Sequence, residues 1–297
     1  MTGGATRRGQ TGFVVGFLAP AVLIYGLFVV WPLIQAFAMS LYNWQGISMD
    51  RQFIGFKNFI DLKADSDFHH ALINNLLLLF VGGGVSLGLA LLIAHALQDS
   101  GKLSKTMRSF VLFPQMLSLV VVALLWKFIF NPRSGLVTSA MNALHLGQYA
   151  KTWLADAHTA LTAVGISFVW WACGFYVMLF TAGIRAIPQE VGEAAELDGA
   201  RGILRFRQIT WPMLWSIKRI AIVHVTITVM NVFVLVYLMT RDGQTSTDMM
   251  LTLLYRNAFK FSKYGYATSV AVANFVVVMI LSALILFAFR KNPETSR

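Results

Sequence analysis

Charge is the scarcest property of this 297-residue sequence, in which only 12% of the residues are Asp, Glu, Lys or Arg. A soluble domain usually carries about 25% charged residues. Hydrophobic residues make up 57% of the chain. This composition excludes a typical soluble enzyme and a disordered chain, because both keep a well-solvated polar surface. It indicates a chain that lies largely in lipid.

Residues that carry covalent or metal chemistry are also few. Cys173 is the only cysteine, which excludes an intrachain disulfide and a Cys-based zinc site. His69 and His70 are adjacent, so they do not share a helix face, and no third ligand follows at metal-binding spacing. The G-x-x-x-x-G-K-[ST] phosphate loop and the G-x-S-x-G hydrolase elbow are both missing. We therefore expect no catalytic residue, no metal and no cofactor bound by this chain.

Long apolar runs are what the sequence has instead. Crossing about 30 Å of hydrocarbon takes about 20 residues, and six runs are long enough and apolar on every face. The predicted membrane helices lie at about residues 13–35, 72–97, 107–130, 159–184, 219–240 and 267–289. The sequence thus predicts an all-α integral membrane protein. Residues 1–297 form one transmembrane domain, with an N-terminal helix and external loop at 1–70 and a core at 71–290.

The first apolar run, from Phe13 to Ile34, was compared with a signal peptide. It has 22 residues, whereas the core of a signal peptide has about 7–15. We therefore expect this run to be kept as a membrane anchor.

Lys and Arg are distributed unevenly around the predicted spans. With the N-terminus in the cytoplasm, 14 of the 24 basic residues fall in inner segments and nine in the longer outer loops, while Lys127 lies inside a span. Because an excess of Lys and Arg marks the cytoplasmic side, we expect both termini there. The net charge of +11 is then a signal of topology. A clustered basic stripe for nucleic acid is missing, so membrane lipid and not nucleic acid is the expected partner.

Ionisable groups are rare inside the predicted spans. No Asp or Glu falls in any of them, which argues against a proton- or sodium-coupled pump. Lys127 could serve an ion or proton relay, but it lies four residues before Asn131-Pro132, where snorkelling to the interface is favoured. His224, near the inner end of the fifth span, is likewise expected at the interface.

The loop at residues 185–218, between the fourth and fifth spans, is the most informative segment. Pro188 suits the first turn of a helix, where its missing N–H costs nothing. Glu190 and Glu193 follow where the helix dipole favours negative charge, and Asp198-Gly199 predicts a turn before a second, short and basic helix. The pattern predicts a helix–turn–helix at the cytoplasmic surface. A helix lying on lipid headgroups is the alternative, but its acidic first half would be repelled by an anionic leaflet.

The spacing within this loop resembles a known motif. Glu193-Ala194-Ala195 is followed after three residues by Gly199, after nine more by Ile209, and then by Trp211-Pro212. This pattern resembles the EAA motif of ATP-binding-cassette (ABC) importer permeases. Trp211 replaces the Leu that the family has before the final Pro, which affects packing at the start of the fifth span but leaves the spacing intact.

Further strings extend the resemblance over about residues 13–290 and are similar to the carbohydrate-uptake branch of the family. They are Trp31-Pro32, Ser40-Leu41-Tyr42, Phe56-Lys57-Asn58-Phe59 and Phe128-Ile129-Phe130-Asn131-Pro132. That branch includes the maltose, lactose and glycerol-phosphate permeases, which pair with a second, homologous permease. The resemblance implies a type I ABC importer permease fold with six transmembrane helices and a cytoplasmic coupling helix, in the inner or plasma membrane of a prokaryotic cell.

The resemblance also implies a mechanism. In the family, the EAA helix docks in a groove of a separate cytoplasmic ATPase, and two ATPase copies that close on ATP carry the helix with them. ATP and Mg²⁺ are therefore expected on the ATPase, and an extracytoplasmic sugar-binding protein is expected to deliver the sugar. The residues expected to carry the coupling are Glu193, Ala194, Ala195, Asp198, Gly199, Ile209 and Pro212.

The substrate path is predicted from side chains near mid-membrane. Sugars are commonly held by aromatic faces and amide hydrogen bonds, which makes Trp170 and Trp171 in the fourth span and Asn231 and Asn274 in the last two spans candidates. Core packing or lipid contact is the alternative for the two tryptophans. A buried amide costs free energy unless it is paired, so Asn231 makes either an interhelical hydrogen bond or a substrate contact.

Two other functions compete with sugar import. One is the permease of an ABC importer for amino acids or metals, against which the long first external loop and the carbohydrate-like strings argue. The other is an integral-membrane enzyme such as a lipid-linked glycosyltransferase. That enzyme would need acidic groups clustered at one interface, and Asp61, Asp65 and Asp67 are the only candidates.

Overall fold

The computed structural model describes residues 3–46, 51–98, 101–147, 152–240 and 246–290, and the side chains in these ranges except those of 3–12 and 102–103. Within them, the chain forms sixteen α-helical segments and one two-stranded antiparallel hairpin. The predicted all-α class is therefore confirmed for the described part of the chain. The segment 291–297, which the orientation argument uses, lies outside the described residues.

Four helical rods are long and apolar enough to cross a membrane. They run over Phe13–Met39, Ser66–Ala96, Ala160–Arg185 and Tyr264–Ala288. The first rod combines α1 (Gly3–Tyr25), a π-helical stretch (Gly26–Val30) and α2 (Trp31–Met39). The hairpin follows it, with β1 (Tyr42–Asn43), β2 (Gln52–Phe53) and Tyr42 paired to Phe53, and then α3 (Lys57–Ala64). The second rod combines α4 (Ser66–Leu77), a π-helical stretch (Leu78–Gly83) and α5 (Gly84–Ala96).

Two further crossings depend on bent helix pairs. The helices α6 (Lys102–Met116) and α7 (Leu119–Ile129) meet at 100°, and α8 (Leu136–Ala143) follows them. The rod α9 (Ala160–Arg185) leads into α10 (Gln189–Leu197). A helical stretch then runs through α11 (Gly202–Arg205), a π-helical segment (Phe206–Thr210) and α12 (Trp211–Met213), and meets α13 (Trp215–Met230) at 71°. The described residues thus give four spans, or six if each bent pair is one crossing.

The last part of the chain contains three helices. They are α14 (Val234–Met239), α15 (Met250–Tyr255), which continues as a π-helical stretch (Arg256–Lys260), and α16 (Tyr264–Ala288).

The third predicted span differs from its prediction. A continuous helix over 107–130 was expected, but the chain is extended at Leu117 and Ser118. Pro114, near the end of α6, lacks the N–H that would bond the carbonyl of Phe110, so it weakens the helical turn before it. Ser118 then starts α7, because its hydroxyl accepts a hydrogen bond from Val121 N at 3.4 Å and supplies the N-terminal cap.

The fifth predicted span is also broken. A continuous helix over 219–240 was expected, but α13 ends at Met230 and α14 begins only at Val234. Phe233 has φ −133° and ψ −63°, outside the helical region. No Pro or Gly lies in this stretch, so its own composition does not explain the break.

The core lies between the second, fourth and fifth spans. Its largest side chains with almost no exposure include Phe168 and Tyr176 on α9, Leu214 before α13 and Leu235 on α14. Close packing, rather than the expulsion of water, holds membrane helices together. Lys127 packs at this core and donates a hydrogen bond to the carbonyl of Leu238 at 3.3 Å, so its charge has a partner within the chain.

Two apolar faces are largely exposed in the part of the chain that the structure describes. No residue in the apolar window of Phe13–Met39 is buried. A cavity of about 790 Å³ opens between the second, third and fourth spans and is lined almost entirely by apolar side chains. The C-terminal part of the rod Phe13–Met39, α2, packs against α16, where the Phe37 ring lies edge to face 5.9 Å from the Phe275 ring. The rest of the rod is largely exposed, so lipid or another chain must cover it.

Candidate functional site

The helix α10 begins one residue later than the sequence predicts. Pro188 does not lie in the first helical turn but precedes it, with an extended backbone at φ −55° and ψ 136°. Its fixed φ suits this position, and Gln189 is the first helical residue. Glu190 lies in the first turn, where the partial positive charge of the helix terminus stabilises a carboxylate.

The end of α10 is fixed by backbone geometry. Gly199 has φ +80°, which costs glycine nothing. Its N–H donates to Glu196 O at 3.2 Å, and Ala200 N donates to Ala195 O at 2.8 Å. These two bonds form a Schellman cap. The predicted Asp198-Gly199 turn therefore ends the helix with its last carbonyls satisfied.

Residues 188–205, which we call the elbow, contain an ion pair between α10 and the helix that follows it. Arg205 Nη1 lies 2.8 Å from Glu196 Oε1. Gly192 is buried, and a Cβ built on it would lie 2.4 Å from the Arg205 guanidinium, so a larger residue there would require the arginine side chain to shift. The two helices therefore form one folded unit, although the prediction did not include Gly192 or the ion pair.

The outer face of α10 is exposed. Glu193 and Ala194 point away from the chain, and Leu197 is 90% exposed. Glu193 accepts a hydrogen bond from Gln189 at 2.8 Å within its own helix. Ala195 points inward and is 5% exposed, so it serves packing within the elbow.

The elbow is connected to the spans through aromatic and glycine contacts. Phe206 lies 4.7 Å from the ring of His95 at the end of the second span. Ile209 and Pro212 are half-buried in the helix that leads to the fifth span. Gly183 on α9 packs so closely that a Cβ there would lie 2.8 Å from Ile217 of α13. The segment that follows the elbow thus contacts the second span, and the fourth span packs closely on the fifth.

Trp211, the departure from the family pattern, has a partner of its own. Lys218 Nζ lies 3.8 Å from the centroid of the Trp211 ring and donates a hydrogen bond to Trp211 O at 2.7 Å. An ammonium over an indole face is attracted by its quadrupole. The larger side chain is thus accommodated at the bend between α12 and α13.

The two tryptophans predicted for the substrate path pack against the core. Trp170 lines the apolar cavity and lies 5.7 Å from Trp126 in an edge-to-face arrangement. Trp171 contacts Phe168, and its Nε1 has no hydrogen-bond partner among the described residues. This indole N–H is buried, so Trp171 presents no accessible side-chain hydrogen-bond donor.

The two predicted asparagines lie in different surroundings. Asn274 on α16 is 4% exposed, and its Oδ1 finds no partner in the described part of the chain. Asn231 is exposed at the end of α13, where its Nδ2 donates to Ile227 O at 2.8 Å. Its side-chain oxygen faces away from the chain's own core. The structure does not bring Asn231, Asn274 and the tryptophans into one cluster within the described residues.

A polar face on α13 was missed by the prediction, which left His224 at the interface. His224 and Asn231 are exposed, and Thr228 is half-buried between them. Their spacing of four and three residues places them on one helix face. The His224 ring stacks on Phe175 of α9 at 4.4 Å, and its Nδ1 lies 3.2 Å from Tyr176 Oη. The four-and-three spacing of polar residues was visible in the sequence.

The acidic residues considered for an enzyme serve structural contacts instead. Asp61 pairs with Lys57 at 2.9 Å, Asp65 caps α4 through Asp67 N at 2.8 Å, and Asp67 pairs with Arg256 at 2.9 Å. Among the described residues, no three His, Cys, Asp or Glu side chains come together as metal ligands.

Asp248, which the prediction did not include, is 1% exposed and forms an ion pair with Arg256. Burial raises the pKa of Asp248 to about 6, although the guanidinium of Arg256 and the hydroxyl of Thr252 oppose this rise.

Comparison with known proteins agrees with the resemblance seen in the motif. Residues 84–292 match the family described as "Binding-protein-dependent transport system inner membrane component". The probable ABC transporter permease protein YurN of Bacillus subtilis is 34% identical, over 94% of this chain and 96% of that protein. The diacetylchitobiose uptake system permease protein NgcF of Streptomyces coelicolor is 32% identical, over 97% of this chain and 86% of that protein.

The fold is similar to that of a solved transporter. A chain in the crystal structure of a bacterial ABC transporter involved in the import of the acidic polysaccharide alginate superimposes with a TM-score of 0.78 at 23% identity. The match covers 96% of this chain and 97% of that chain. The order and packing of the helices are therefore those of a multi-pass ABC importer subunit.

Proposed function

Since the chain belongs to the family of binding-protein-dependent transport system inner membrane components, we propose that it is the translocation subunit of an ABC importer for a sugar. Its six spans include the two bent pairs, and both termini lie in the cytoplasm of a prokaryotic cell. Relatives that extend over nearly the whole chain support this proposal, and one of them is named for diacetylchitobiose uptake.

The elbow carries the proposal. A coupling helix must be rigid, fixed at both ends and exposed along one face. The backbone of α10 is fixed by Pro188 and Gly199, and its outer face exposes Leu197. An isolated leucine on a surface needs no explanation, but Ile203, in the next helix of the elbow, is 84% exposed. These two strongly exposed aliphatic side chains, on an elbow that also carries charged residues, are suited to bind in a groove of a partner protein.

Force would pass from the elbow to the spans through packed contacts. The ATPase holds ATP and Mg²⁺, and this chain supplies no catalytic group. The Glu196–Arg205 pair keeps the two helices of the elbow together, so they move as one. Phe206 transmits this motion to the second span through His95, and Gly183 joins the fourth span to the fifth.

The polar face of α13 is the proposed wall of the sugar path. Polar side chains on the exposed side of a membrane helix face a bundle interior or an aqueous cavity, because lipid cannot pair them. His224, Thr228 and Asn231 offer hydrogen-bond groups to sugar hydroxyls, while Phe175 offers an aromatic ring. A second, homologous permease would form the opposite wall.

The proposed partners of this chain bind at different surfaces of the permease. Two copies of the ATPase dock on the elbows of the two permeases, and an extracytoplasmic binding protein delivers the sugar. The exposed apolar rod Phe13–Met39 lies against lipid and the second permease.

Docking of the ATPase can be tested by copurification from cells that express the complete complex. In the variant Leu197→Asp, a carboxylate replaces an aliphatic side chain that contacts nothing in this chain, so the permease should insert normally but lose its ATPase. Leu144→Asp is the matched control, because Leu144 is 69% exposed and lies in a loop on the proposed outer side. Retention of the ATPase by Leu197→Asp would contradict the docking role.

The substrate class is tested separately, by uptake into cells that lack the chromosomal gene. Radiolabelled diacetylchitobiose, maltose, trehalose and alginate oligosaccharides are compared with amino acids. Restored uptake of a sugar supports the proposal. Restored uptake of an amino acid with no sugar transport would show an importer of another class.

A further inference from the structure

The break in the fifth span is held by a side chain from the second span. Asn75 on α4 is fully buried, and its Nδ2 donates to Val229 O at 3.0 Å. In a continuous helix, that carbonyl would accept the N–H of residue 233. Here it accepts the N–H of Val232 at 3.1 Å together with the Asn75 amide. Asn75 therefore takes the place of a helical hydrogen bond where the helix stops.

The same carboxamide also fixes the start of another helix. Met250 is the first residue of α15, and its N–H donates to Asn75 Oδ1 at 2.8 Å. The first N–H groups of a helix have no partner within it, and an unpaired group surrounded by lipid costs several kcal/mol. One buried amide thus satisfies two backbone groups that are 21 residues apart along the chain, Val229 and Met250.

Neighbouring contacts complete the junction between the second span and α15. Asn74 Nδ2 donates to Ser246 O at 3.1 Å and to Asp248 O at 2.9 Å. Arg256, which follows α15, forms ion pairs with Asp248 and with Asp67 on α4. These contacts hold the loop before α15, but only Asn75 reaches the last turn of α13.

The position of the break determines where the polar face of α13 ends. Asn231 is the first residue after the helix, and its N–H still donates to Ile227 O at 3.1 Å, so its side chain stays on the face of His224 and Thr228. The chain leaves the helical path directly after it, at residues 232–233. Broken helices in transporters commonly lie at substrate sites, where irregular backbone lines a cavity. If the helix continued, Val232 and Phe233 would take up helical register, and α14 would be a direct extension of α13.

We propose that Asn75 is a positioning residue for translocation: its carboxamide holds the fifth span broken at residues 231–233 and thereby fixes where the polar face of α13 ends and how the chain continues into α14. This inference rests on the proposed sugar path. Asn75 does not contact the sugar and acts only through Val229. It also lies far from the ATPase, because α13 has 16 residues and is about 24 Å long, with the elbow at its other end.

The test uses the complete complex in proteoliposomes, with the labelled sugar that the wild-type complex transports. Sugar uptake and ATP hydrolysis are measured together. In Asn75→Leu, both hydrogen bonds are lost, and the amount of sugar taken up per ATP should fall about fivefold. The ATPase rate that the loaded binding protein stimulates should stay unchanged, because the elbow is intact. General destabilisation would instead lower uptake and ATP hydrolysis together.

Asn74→Leu is the matched control. It also removes two hydrogen bonds from a buried asparagine, but they go to the loop and not to α13, so the ratio of sugar to ATP should stay at the wild-type value. If Asn75→Leu does not insert, Asn75→Ser replaces it, because serine is too short to bridge Val229 and Met250. A wild-type ratio in the Asn75 variant, or an equal loss in Asn74→Leu, overturns the inference.

The test also separates the two proposals. A wild-type complex that transports no sugar contradicts the proposed function. A wild-type complex that transports sugar, together with an Asn75 variant that does so equally well per ATP, contradicts only the role of Asn75.

Discussion

Gly199 shows how one backbone angle determines the shape of the elbow. Its φ of +80° lies in the left-handed region, and a Cβ built on it meets no atom within 4 Å. A substitution there is therefore strained by the backbone and not by crowding. For L-residues, the left-handed region costs roughly 1–2 kcal/mol.

We expect Gly199→Ala to loosen the end of α10 and to lower sugar uptake severalfold in cells, while the amount of inserted permease stays normal. The matched control is Gly101→Ala, because Gly101 has φ −61° and also meets nothing within 4 Å. Uptake assays with a membrane immunoblot check this prediction. Equal uptake by the two variants would argue against a strained turn.

Asp248 makes stability depend on pH. Burial raises its pKa from 3.8 to about 6, so the folded state favours the protonated carboxyl. Its contribution to stability is therefore fully present below about pH 4 and is lost as the pH rises through about 6. Two pKa units correspond to about 3 kcal/mol. The groups that face this carboxyl are Arg256, Asp67 and Thr252.

We expect Asp248→Asn to flatten this dependence, since a carboxamide does not titrate. The melting temperature of the purified protein in detergent, measured between pH 4.5 and 7.5, should fall more steeply with pH in the wild type than in the variant. Parallel curves would show that Asp248 does not titrate in this range.

At the scale of helices, close packing joins the fourth span to the fifth, on either side of the elbow. A Cβ on Gly183 would lie 2.8 Å from Ile217 and 2.9 Å from Leu214. Overpacking of a filled interface typically costs about 1–3 kcal/mol. We expect Gly183→Ala to lower the melting temperature of the purified protein by several degrees.

Gly88→Ala is the control for this substitution, because a Cβ at Gly88 meets nothing within 4 Å. Gly88 lies within α5, where alanine is a better helix former than glycine. A melting temperature of Gly183→Ala equal to that of Gly88→Ala would contradict the close contact between α9 and α13.

The sequence predicts helices well where the signal is local. Asp198-Gly199 indicates the end of α10, and the long apolar runs indicate the rods. The break at Leu117 has a local signal as well, since the Ser118 hydroxyl caps the start of α7 directly after it. The break after Met230 has none: its partner, Asn75, is 154 residues away from Val229 in the chain. A contact between residues so far apart in the chain cannot be predicted from hydropathy along the sequence.

In the candidate site, too, the sequence predicts the features that have a local signal and misses those that depend on long-range packing. The motif identifies the elbow, but it does not show that Ala195 points inward or that Gly192 makes room for Arg205. These facts depend on the packing of one helix against another. The substrate path is still less accessible from sequence, because one of its proposed walls belongs to a second polypeptide.

At the scale of the whole molecule, this chain is incomplete by itself. The rod Phe13–Met39 has no buried residue in its apolar window, and the polar face with His224 and Asn231 is exposed within a membrane protein. Leu197 and Ile203 are strongly exposed at the elbow. The proposed function assigns each of these surfaces to a different neighbour, namely lipid with a second permease, the facing wall of a sugar path, and an ATPase. The chain is thus one subunit of a larger complex.

Site-specific cross-linking of the elbow tests the central claim most directly. Cys173, the only native cysteine, is buried, so a thiol introduced by Ala194→Cys reacts selectively with a photoactivatable cross-linker in membranes that contain the complete complex. The account predicts a covalent adduct between this permease and the cytoplasmic ATPase, and no such adduct from Leu144→Cys. An Ala194→Cys permease that is inserted and active in sugar uptake but forms no adduct with the ATPase would contradict the account.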